Sequence, residues 1–288
     1  MIPIIKNNYK VFGLENGPTA ALIWLIHGAG GDMLHFETVV PTLTQAGYRI
    51  LLNDVRFHGK SQPESSGEYP FLFNDVERDM DLILQEVKQQ HYANNRIQLF
   101  LGGLSMGSMI SLIYAANKTR QQKWDQDQID LKGIILLAAG IPYLEVYRNG
   151  WDLFRTRQVT KEQFEFARSS ITVSSITEYG QNHAKRAIDQ VSNHALYECL
   201  VAISEFLPSP TPVLQAKPYI PLTTVPILLI IPDQDPYTRI EMEELHKINL
   251  ERGIRSHLNI IENSGHLVTL DQGLQVGIQT RDFCQSCL

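Results

Sequence analysis

The sequence has few cysteines, no long apolar segment and no excess of basic residues. Three cysteines in 288 residues indicate a reducing compartment rather than a disulfide framework. No apolar run approaches the roughly 18 residues that a membrane-spanning helix needs, and residues 1–9 lack the pattern of a secretion signal. The net charge of −6 disfavours nucleic acid and anionic membranes as partners. We therefore expect a cytoplasmic protein with no membrane span and no nucleic-acid partner.

What is present is an alternation of short apolar runs and amphipathic segments. The predicted strands are 21–26, 48–53, 97–101, 133–138, 226–231 and 258–261, and the predicted helices are 36–46, 75–89, 106–117 and 241–250. The strand runs are almost continuously apolar, which is typical of strands covered on both faces. The alternation predicts an α/β fold, with a mostly parallel central sheet flanked by helices.

Residues 141–224 interrupt this rhythm with helical patterns and no strand-like run. The interval is rich in aromatic residues, which include Tyr143, Tyr147, Trp151, Phe154, Phe164, Phe166, Tyr179 and Tyr197. Prolines mark loops at 208–212 and 218–221. We interpret the interval as a helical cap, inserted into a core of residues 1–140 and 225–288 and lying over the carboxyl edge of the sheet. The alternative is a group of extra helices packed on the side of the sheet.

The stretch Gly103-Leu104-Ser105-Met106-Gly107 follows one predicted strand and begins the next helix. A G-x-S-x-G turn at such a junction holds its serine exposed in a strained conformation. The glycines leave room where a side chain would clash with the neighbouring elements. Because the bare pattern arises by chance in roughly one chain in ten of this length, its position carries the argument. Ser105 is the predicted nucleophile.

A possible acid and a possible base follow the next predicted strands. Asp233-Gln234-Asp235-Pro236 comes after the strand at 226–231, and His266 comes shortly after the last strand. Serine needs a base to remove its proton, and the base needs a third group to orient it. Ligands gather at the carboxyl ends of such strands, and the order serine, acid, histidine is typical of this turn. Both Asp233 and Asp235 are candidates for the acid.

The glycine-rich loop 27–31 follows the first strong strand and is a candidate oxyanion site. Attack by serine places negative charge on the substrate's carbonyl oxygen, and backbone N–H groups must receive that charge. The N–H of Met106 is one expected donor, and the N–H of Ala29 is the most plausible second donor. The alternative is that the loop only makes a tight connection. We expect His27 to hold the loop rather than to act as a base.

Together these motifs resemble the α/β-hydrolase superfamily, in its cap-bearing serine hydrolases of the esterase, lipase and thioesterase kind. The matching segments extend over residues 27–266 and are 27–30, 54–61, 103–107, 233–236 and 264–266. The resemblance implies the α/β-hydrolase fold and a triad of Ser105, His266 and Asp235. It favours Asp235 over Asp233 because the family's acid commonly precedes a proline or an apolar residue.

The resemblance also implies oxyanion donors at Ala29 and Met106 and no cofactor. One departure is Phe57, which stands where the family often has glycine. Its side chain either narrows the substrate pocket or points into the core. Asp54, Arg56 and His58 in the same segment are expected to be structural.

The sequence thus predicts a cofactor-independent serine hydrolase that cleaves an ester, thioester or lactone through an acyl-enzyme on Ser105. The aromatic residues of the insertion favour a small-molecule substrate with an apolar acyl or aryl part. Two alternatives stay open: a carbon–carbon bond hydrolase or lyase that uses the same triad, and a receptor-like or catalytically idle protein. The oligomeric state has no signal in the sequence.

No metal site is expected. Cys284 and Cys287 have the C-x-x-C spacing but lack the second pair or nearby histidine that a zinc site needs. Six other histidines have no motif context and are expected to be surface or packing residues: His35, His91, His183, His194, His246 and His257.

Overall fold

A central β-sheet organises the chain in the computed structural model, which describes residues 5–65, 67–93, 95–140, 151–207 and 224–288. The sheet has seven strands in the described residues, in the order β1-β3-β2-β4-β5-β6-β7. Their bounds are Tyr9–Phe12 (β1), Leu22–Ile26 (β2), Arg49–Asn53 (β3), Ile97–Leu104 (β4), Ile129–Leu137 (β5), Ile227–Pro232 (β6) and Ser256–Ile261 (β7). β1 pairs antiparallel with β3, and the remaining neighbours are parallel. The predicted α/β-hydrolase fold class is confirmed.

The apolar strand runs are explained by cores on both faces of the sheet. In β2, Leu22, Trp24 and Ile26 pack into one core, while Ile23 and Leu25 pack into the other. Successive side chains of a strand point to opposite faces, so a strand that is covered on both sides has no polar positions. β1 was not predicted because its residues are mostly half-buried and form no apolar run.

The described helices flank the sheet and connect its strands. They are Val40–Gln45 (α1), Phe73–His91 (α2), Met106–Arg120 (α3), Lys123–Gln126 (α4), Trp151–Arg155 (α5), Lys161–Thr172 (α6), Glu178–Ile188 (α7), Asn193–Phe206 (α8), Arg239–Glu251 (α9), Val268–Asp271 (α10) and Gly273–Cys287 (α11). The predicted helix 36–46 was wrong in its first part, where a short 3-10 turn at Met33–Phe36 precedes α1. The C-terminal helix α11 was not predicted.

In the described residues between β5 and β6 there are four helices, α5 to α8. We call residues 151–207 the helical segment. Part of the predicted insertion, residues 141–150 and 208–223, lies outside the described residues, including Tyr143, Tyr147 and both proline-marked loops. Among the helices that the structure describes, none is long and apolar enough to cross a membrane.

Candidate active site

Ser105 stands at a sharp turn between β4 and α3. Its backbone has φ 54° and ψ −115°, in a region that a non-glycine residue rarely adopts. A Cβ on Gly107 would lie 1.9 Å from the carbonyl oxygen of Ile26, and one on Gly103 would lie 2.5 Å from the same oxygen. Both flanking glycines are therefore required by close backbone approach. The strand-to-helix turn predicted around Ser105 is present.

Neighbouring hydrogen bonds hold this turn in place. The N–H of Ser105 donates to the Leu137 carbonyl at 2.9 Å. The Ser108 hydroxyl donates to the Gly103 carbonyl at 2.5 Å and accepts from the Leu137 N–H at 3.1 Å. The strained conformation of Ser105 is thus fixed by strand β5 as well as by its own helix, and such strain persists only where its surroundings impose it.

His266 meets Asp235 beyond the ends of β6 and β7. His266 Nδ1 lies 2.9 Å from Asp235 Oδ2, and the aspartate also accepts hydrogen bonds from the Thr238 hydroxyl and the Tyr237 N–H. Burial by itself raises the pKa of Asp235, but the hydrogen bond and charge of His266, then Thr238 and the Tyr237 N–H, bring it below its usual value. The carboxylate is therefore ionised at neutral pH, and it orients a histidine that is partly exposed.

The two candidate aspartates have different partners. Asp233 Oδ1 accepts a hydrogen bond from the backbone N–H of Ser264 at 2.9 Å, and backbone hydrogen bonds, led by the one from Ser264, lower the pKa of Asp233. Asp233 thus holds the loop that carries His266, while Asp235 contacts the imidazole itself.

The glycine-rich loop packs directly against Ser105. A Cβ on Gly28 would lie 3.2 Å from the Cβ of Ser105, so a side chain there would press on the serine. Ala29 and Met106 line the same cavity as Ser105 and His266. The structure therefore brings together the five residues singled out for catalysis and oxyanion binding: Ser105, His266, Asp235, Ala29 and Met106.

Two buried histidines, His27 and His58, form hydrogen bonds with the backbone of this loop. His27 accepts the Val55 N–H at 2.9 Å and lies 2.8 Å from the Gly28 carbonyl. His58 accepts the Gly30 N–H at 3.1 Å and lies 3.0 Å from the Arg56 carbonyl. In each case one nitrogen accepts, so the other carries the proton and donates. Burial lowers the pKa of His27, and it lowers that of His58 to about 3. Both rings are neutral, and His27 holds the loop as expected.

A cavity of about 780 Å³ extends from Ser105 and His266 into the helical segment. The segment supplies apolar wall residues that include Trp151, Phe154, Val159, Ile171, Leu200 and Ile203. Pockets for small organic ligands have this size and this predominantly apolar lining.

Asp271 joins the helical segment to the loop of His266. Its carboxylate accepts hydrogen bonds from the Ser175 hydroxyl, from the N–H groups of Ile176 and Thr177, from the Thr177 hydroxyl and from the Gly265 N–H. A Cβ on Gly265 would lie 2.4 Å from the Ser174 carbonyl oxygen. The backbone of the segment is therefore in close contact with Gly265, the residue before His266. Asp271 was missed in the sequence because its partners come from about 95 positions earlier.

His35, which was expected to be a surface or packing residue, is buried beside the active site. Its side chain is 1% exposed and lies on the wall of the cavity. Neither ring nitrogen has a hydrogen-bond partner among the described residues. Only its position, four residues after the glycine-rich loop, was visible in the sequence.

Phe57 points into the core. Its backbone has φ 66°, the left-handed region that favours glycine. The ring is 4% exposed and packs against Tyr69 and Phe71. Of the two interpretations left open by the sequence, the structure supports the one in which Phe57 fills the core.

The described part of the chain has no group of three or more histidine, cysteine, aspartate or glutamate residues that is arranged to hold a metal ion.

A known protein family matches most of this chain. The family model Hydrolase_4, described as serine aminopeptidase, S33, matches residues 17–273. The chain belongs to the Hydrolase_4 family. It is therefore a hydrolase of the α/β-hydrolase superfamily, and the resemblance inferred from the motifs is confirmed.

Solved structures share the fold of this Hydrolase_4 member at low sequence identity. A thermophilic esterase from Thermogutta terrifontis is 18% identical, with a TM-score of 0.70 over 98% of this chain and 94% of its own. An enol-lactonase from Burkholderia xenovorans LB400 is 17% identical, with a TM-score of 0.70 over 98% and 97%. MenH from S. aureus is 18% identical, with a TM-score of 0.67 over 96% and 98%. No match was found among curated proteins.

Proposed function

We propose that this hydrolase cleaves a carboxylic ester, thioester or lactone through an acyl-enzyme on Ser105, without a cofactor. The observation that carries the proposal is the 2.9 Å contact between His266 and the buried Asp235, in a cavity that also contains the strained Ser105. A nucleophile, a base and a group that orients the base are the parts that acyl transfer by serine needs.

In the proposed first step, His266 Nε2 takes the proton of Ser105 as the hydroxyl oxygen attacks the carbonyl carbon. Asp235 holds the proton on Nδ1 and stabilises the imidazolium that forms. The imidazolium then returns its proton to the departing alcohol or thiol as the carbon–oxygen or carbon–sulfur bond breaks. Water, activated by the same imidazole, attacks the acyl-enzyme and releases the acid and free Ser105.

The N–H groups of Ala29 and Met106 are the proposed donors to the oxyanion. Losing one such donor typically costs ~3–4 kcal/mol of transition-state stabilisation. The attachment of the loop by His27 and His58 supports this role, because both rings form hydrogen bonds with its backbone. Preorganised donors stabilise charge without reorganising during the reaction.

We propose further that the helical segment belongs to a cap, residues 141–224, inserted into a core of residues 1–140 and 225–288. The support is that the segment supplies much of the apolar wall of the cavity. The alternative, helices packed only on the side of the sheet, would leave Ser105 and the helical segment on separate surfaces. An apolar wall favours a small-molecule substrate with an apolar acyl or aryl part. We also propose that the protein is cytoplasmic.

A substrate panel tests the reaction type. It contains p-nitrophenyl esters of increasing acyl length, thioesters, lactones and an aminoacyl amide, the last because the family description names an aminopeptidase. We expect turnover of the oxygen or sulfur esters, and peptide mapping of protein quenched during turnover should find the acyl group on Ser105. Turnover of the amide alone would move the assignment to peptidase chemistry. No hydrolysis of any member would favour the carbon–carbon, lyase or receptor alternatives.

A further inference from the structure

His35 is a buried polar side chain with no hydrogen-bond partner in the part of the chain that the structure describes. It lies in the short turn Met33–Phe36, it is 1% exposed, and both Nδ1 and Nε2 lack a hydrogen bond. Buried polar side-chain atoms are normally paired, and an unpaired one destabilises the fold. A phenylalanine would fill a similar volume without this penalty. Packing alone therefore does not account for a histidine here.

The imidazole lies on the wall of the cavity that contains Ser105. A Cβ on Gly31 would lie 2.8 Å from His35 Nδ1, and a Cβ on Gly28 would lie 3.2 Å from Ser105 Cβ. His35 and Ser105 thus pack against the two ends of one four-residue loop, the loop that carries the proposed oxyanion donor Ala29. The imidazole and the serine therefore line one cavity, at opposite ends of this loop.

The surroundings of His35 favour a neutral ligand group. Burial above all, and then the positive charge of Arg186, lower the pKa of His35 to about 3, so the ring is uncharged at neutral pH. Arg186 is compensated by Asp32, both of whose oxygens it contacts at 2.9 Å. A neutral imidazole offers one donor and one acceptor. A hydroxyl group can pair with either nitrogen, because it both donates and accepts.

We propose that His35 forms a subsite that hydrogen-bonds a hydroxyl group of the substrate close to its scissile carbonyl. The subsite narrows the substrate class from esters with an apolar part to hydroxylated esters of that kind. This inference rests on the proposed hydrolysis at Ser105. The hydroxyl is carried by either the acyl or the alcohol part, and substrates that differ only in this group separate the two sources.

Two matched pairs of esters test the subsite. On the acyl side, p-nitrophenyl 3-hydroxyoctanoate is compared with p-nitrophenyl octanoate. On the alcohol side, 2-hydroxyethyl octanoate is compared with ethyl octanoate. We expect kcat/KM to favour the hydroxylated member of one pair by ~10-fold or more, since a site with an unpaired polar group discriminates against a ligand that leaves it unpaired.

His35→Phe removes both nitrogens at similar volume, and His35→Asn keeps a donor and an acceptor. The preference ratio should fall to about one in His35→Phe and recover in part in His35→Asn. An unchanged ratio in His35→Phe would overturn the subsite. The subsite would also be overturned if the native enzyme showed no preference in both pairs.

A second measurement does not depend on turnover. The imidazole ¹⁵N resonances of His35, assigned with His35→Phe, are followed while 3-hydroxyoctanoate, ethylene glycol or octanoate is added. We expect one hydroxylated compound to shift them and octanoate to leave them in place. Such a shift without any ester hydrolysis would sustain the subsite and remove the proposed function. Ester hydrolysis without any resonance shift or substrate preference would overturn the subsite and leave the proposed function in place.

Discussion

The carboxyl edge of the sheet and the helical segment contribute to one cavity in different ways. At the edge, positions are set by backbone: the φ of 54° at Ser105, the glycines at 103 and 107, and the loop held by buried histidines. The helical segment contributes apolar side chains on helices, with few such backbone constraints at the cavity. Under the proposed function, the edge carries the chemistry and the segment selects the substrate.

The two regions are also linked by a small number of polar contacts. Arg186 of the segment pairs with Asp32 of the core, and Tyr179 donates to Glu37 at 2.6 Å. Asp271 accepts five hydrogen bonds, four from residues of the segment and one from the N–H of Gly265. Asp271 therefore connects the segment with the backbone next to His266.

The largest effect is expected at the edge, from Asp235→Asn. The amide cannot stabilise the imidazolium and favours the wrong tautomer of His266, so kcat should fall ~10⁴-fold. Asp233→Asn is the matched control, because its carboxylate bonds the Ser264 N–H instead of the imidazole. Its kcat should fall far less. Steady-state kinetics on one ester decides between them, and a larger loss in Asp233→Asn would reverse the roles of the two aspartates.

Asp271→Asn tests the link between the regions. The variant weakens several hydrogen bonds at once, and a displacement of His266 of about 1 Å is enough for a loss of ~10²-fold. We expect kcat to fall with little change in KM, because the cavity wall stays in place. Tyr179→Phe is the control, since it breaks a link that does not touch the His266 loop. A loss confined to thermal stability, with kcat intact, would show that Asp271 only anchors the segment.

Ala167→Trp tests the assignment of selectivity to the segment. Ala167 lies on the cavity wall, and a large ring there shortens the space for an acyl chain. We expect the ratio of kcat/KM for octanoate to acetate p-nitrophenyl esters to fall ~10-fold or more, by steric exclusion of the longer chain. Equal losses on both esters would mean that the segment does not select by chain length.

The smallest effect concerns the acid stability of the core. The pKa of His35 in the fold is about 3, below its ordinary value of about 6.5. As pH falls below about 6.5, the unfolded chain binds a proton that the folded chain does not, and stability decreases. His35→Phe removes this loss, so the decrease between about pH 6.5 and pH 5 should be about 2 kcal/mol smaller. Urea unfolding at both pH values measures it, and equal decreases would contradict the burial of a neutral His35.

The sequence predicted the edge of the sheet better than the rest. Ser105, Asp235 and His266 follow apolar runs directly, and parallel strands bring their carboxyl ends to one edge. The choice between Asp233 and Asp235 rested on the family resemblance, because both aspartates come directly after the same strand. The structure shows what distinguishes them, the contact with the imidazole.

His35 and Asp271 escaped prediction for a physical reason. Neither residue stands in a local sequence pattern. Asp271 contacts the backbone at 176–177, far away in the chain, and His35 is buried beside a cavity that only the folded chain forms. β1 escaped because an edge strand that is half-exposed lacks the apolar run of its neighbours. Burial, partner atoms and cavity walls depend on the assembled fold.

The central claim is that Ser105 is an activated nucleophile, and covalent labelling tests it most directly. Native protein and Ser105→Ala are treated with a fluorophosphonate, and the modified peptide is identified by mass spectrometry. If Ser105 is an activated nucleophile, we expect one adduct, on Ser105 of the native protein, and none in the variant. A native protein that resists labelling, or a variant that is labelled equally, would contradict it.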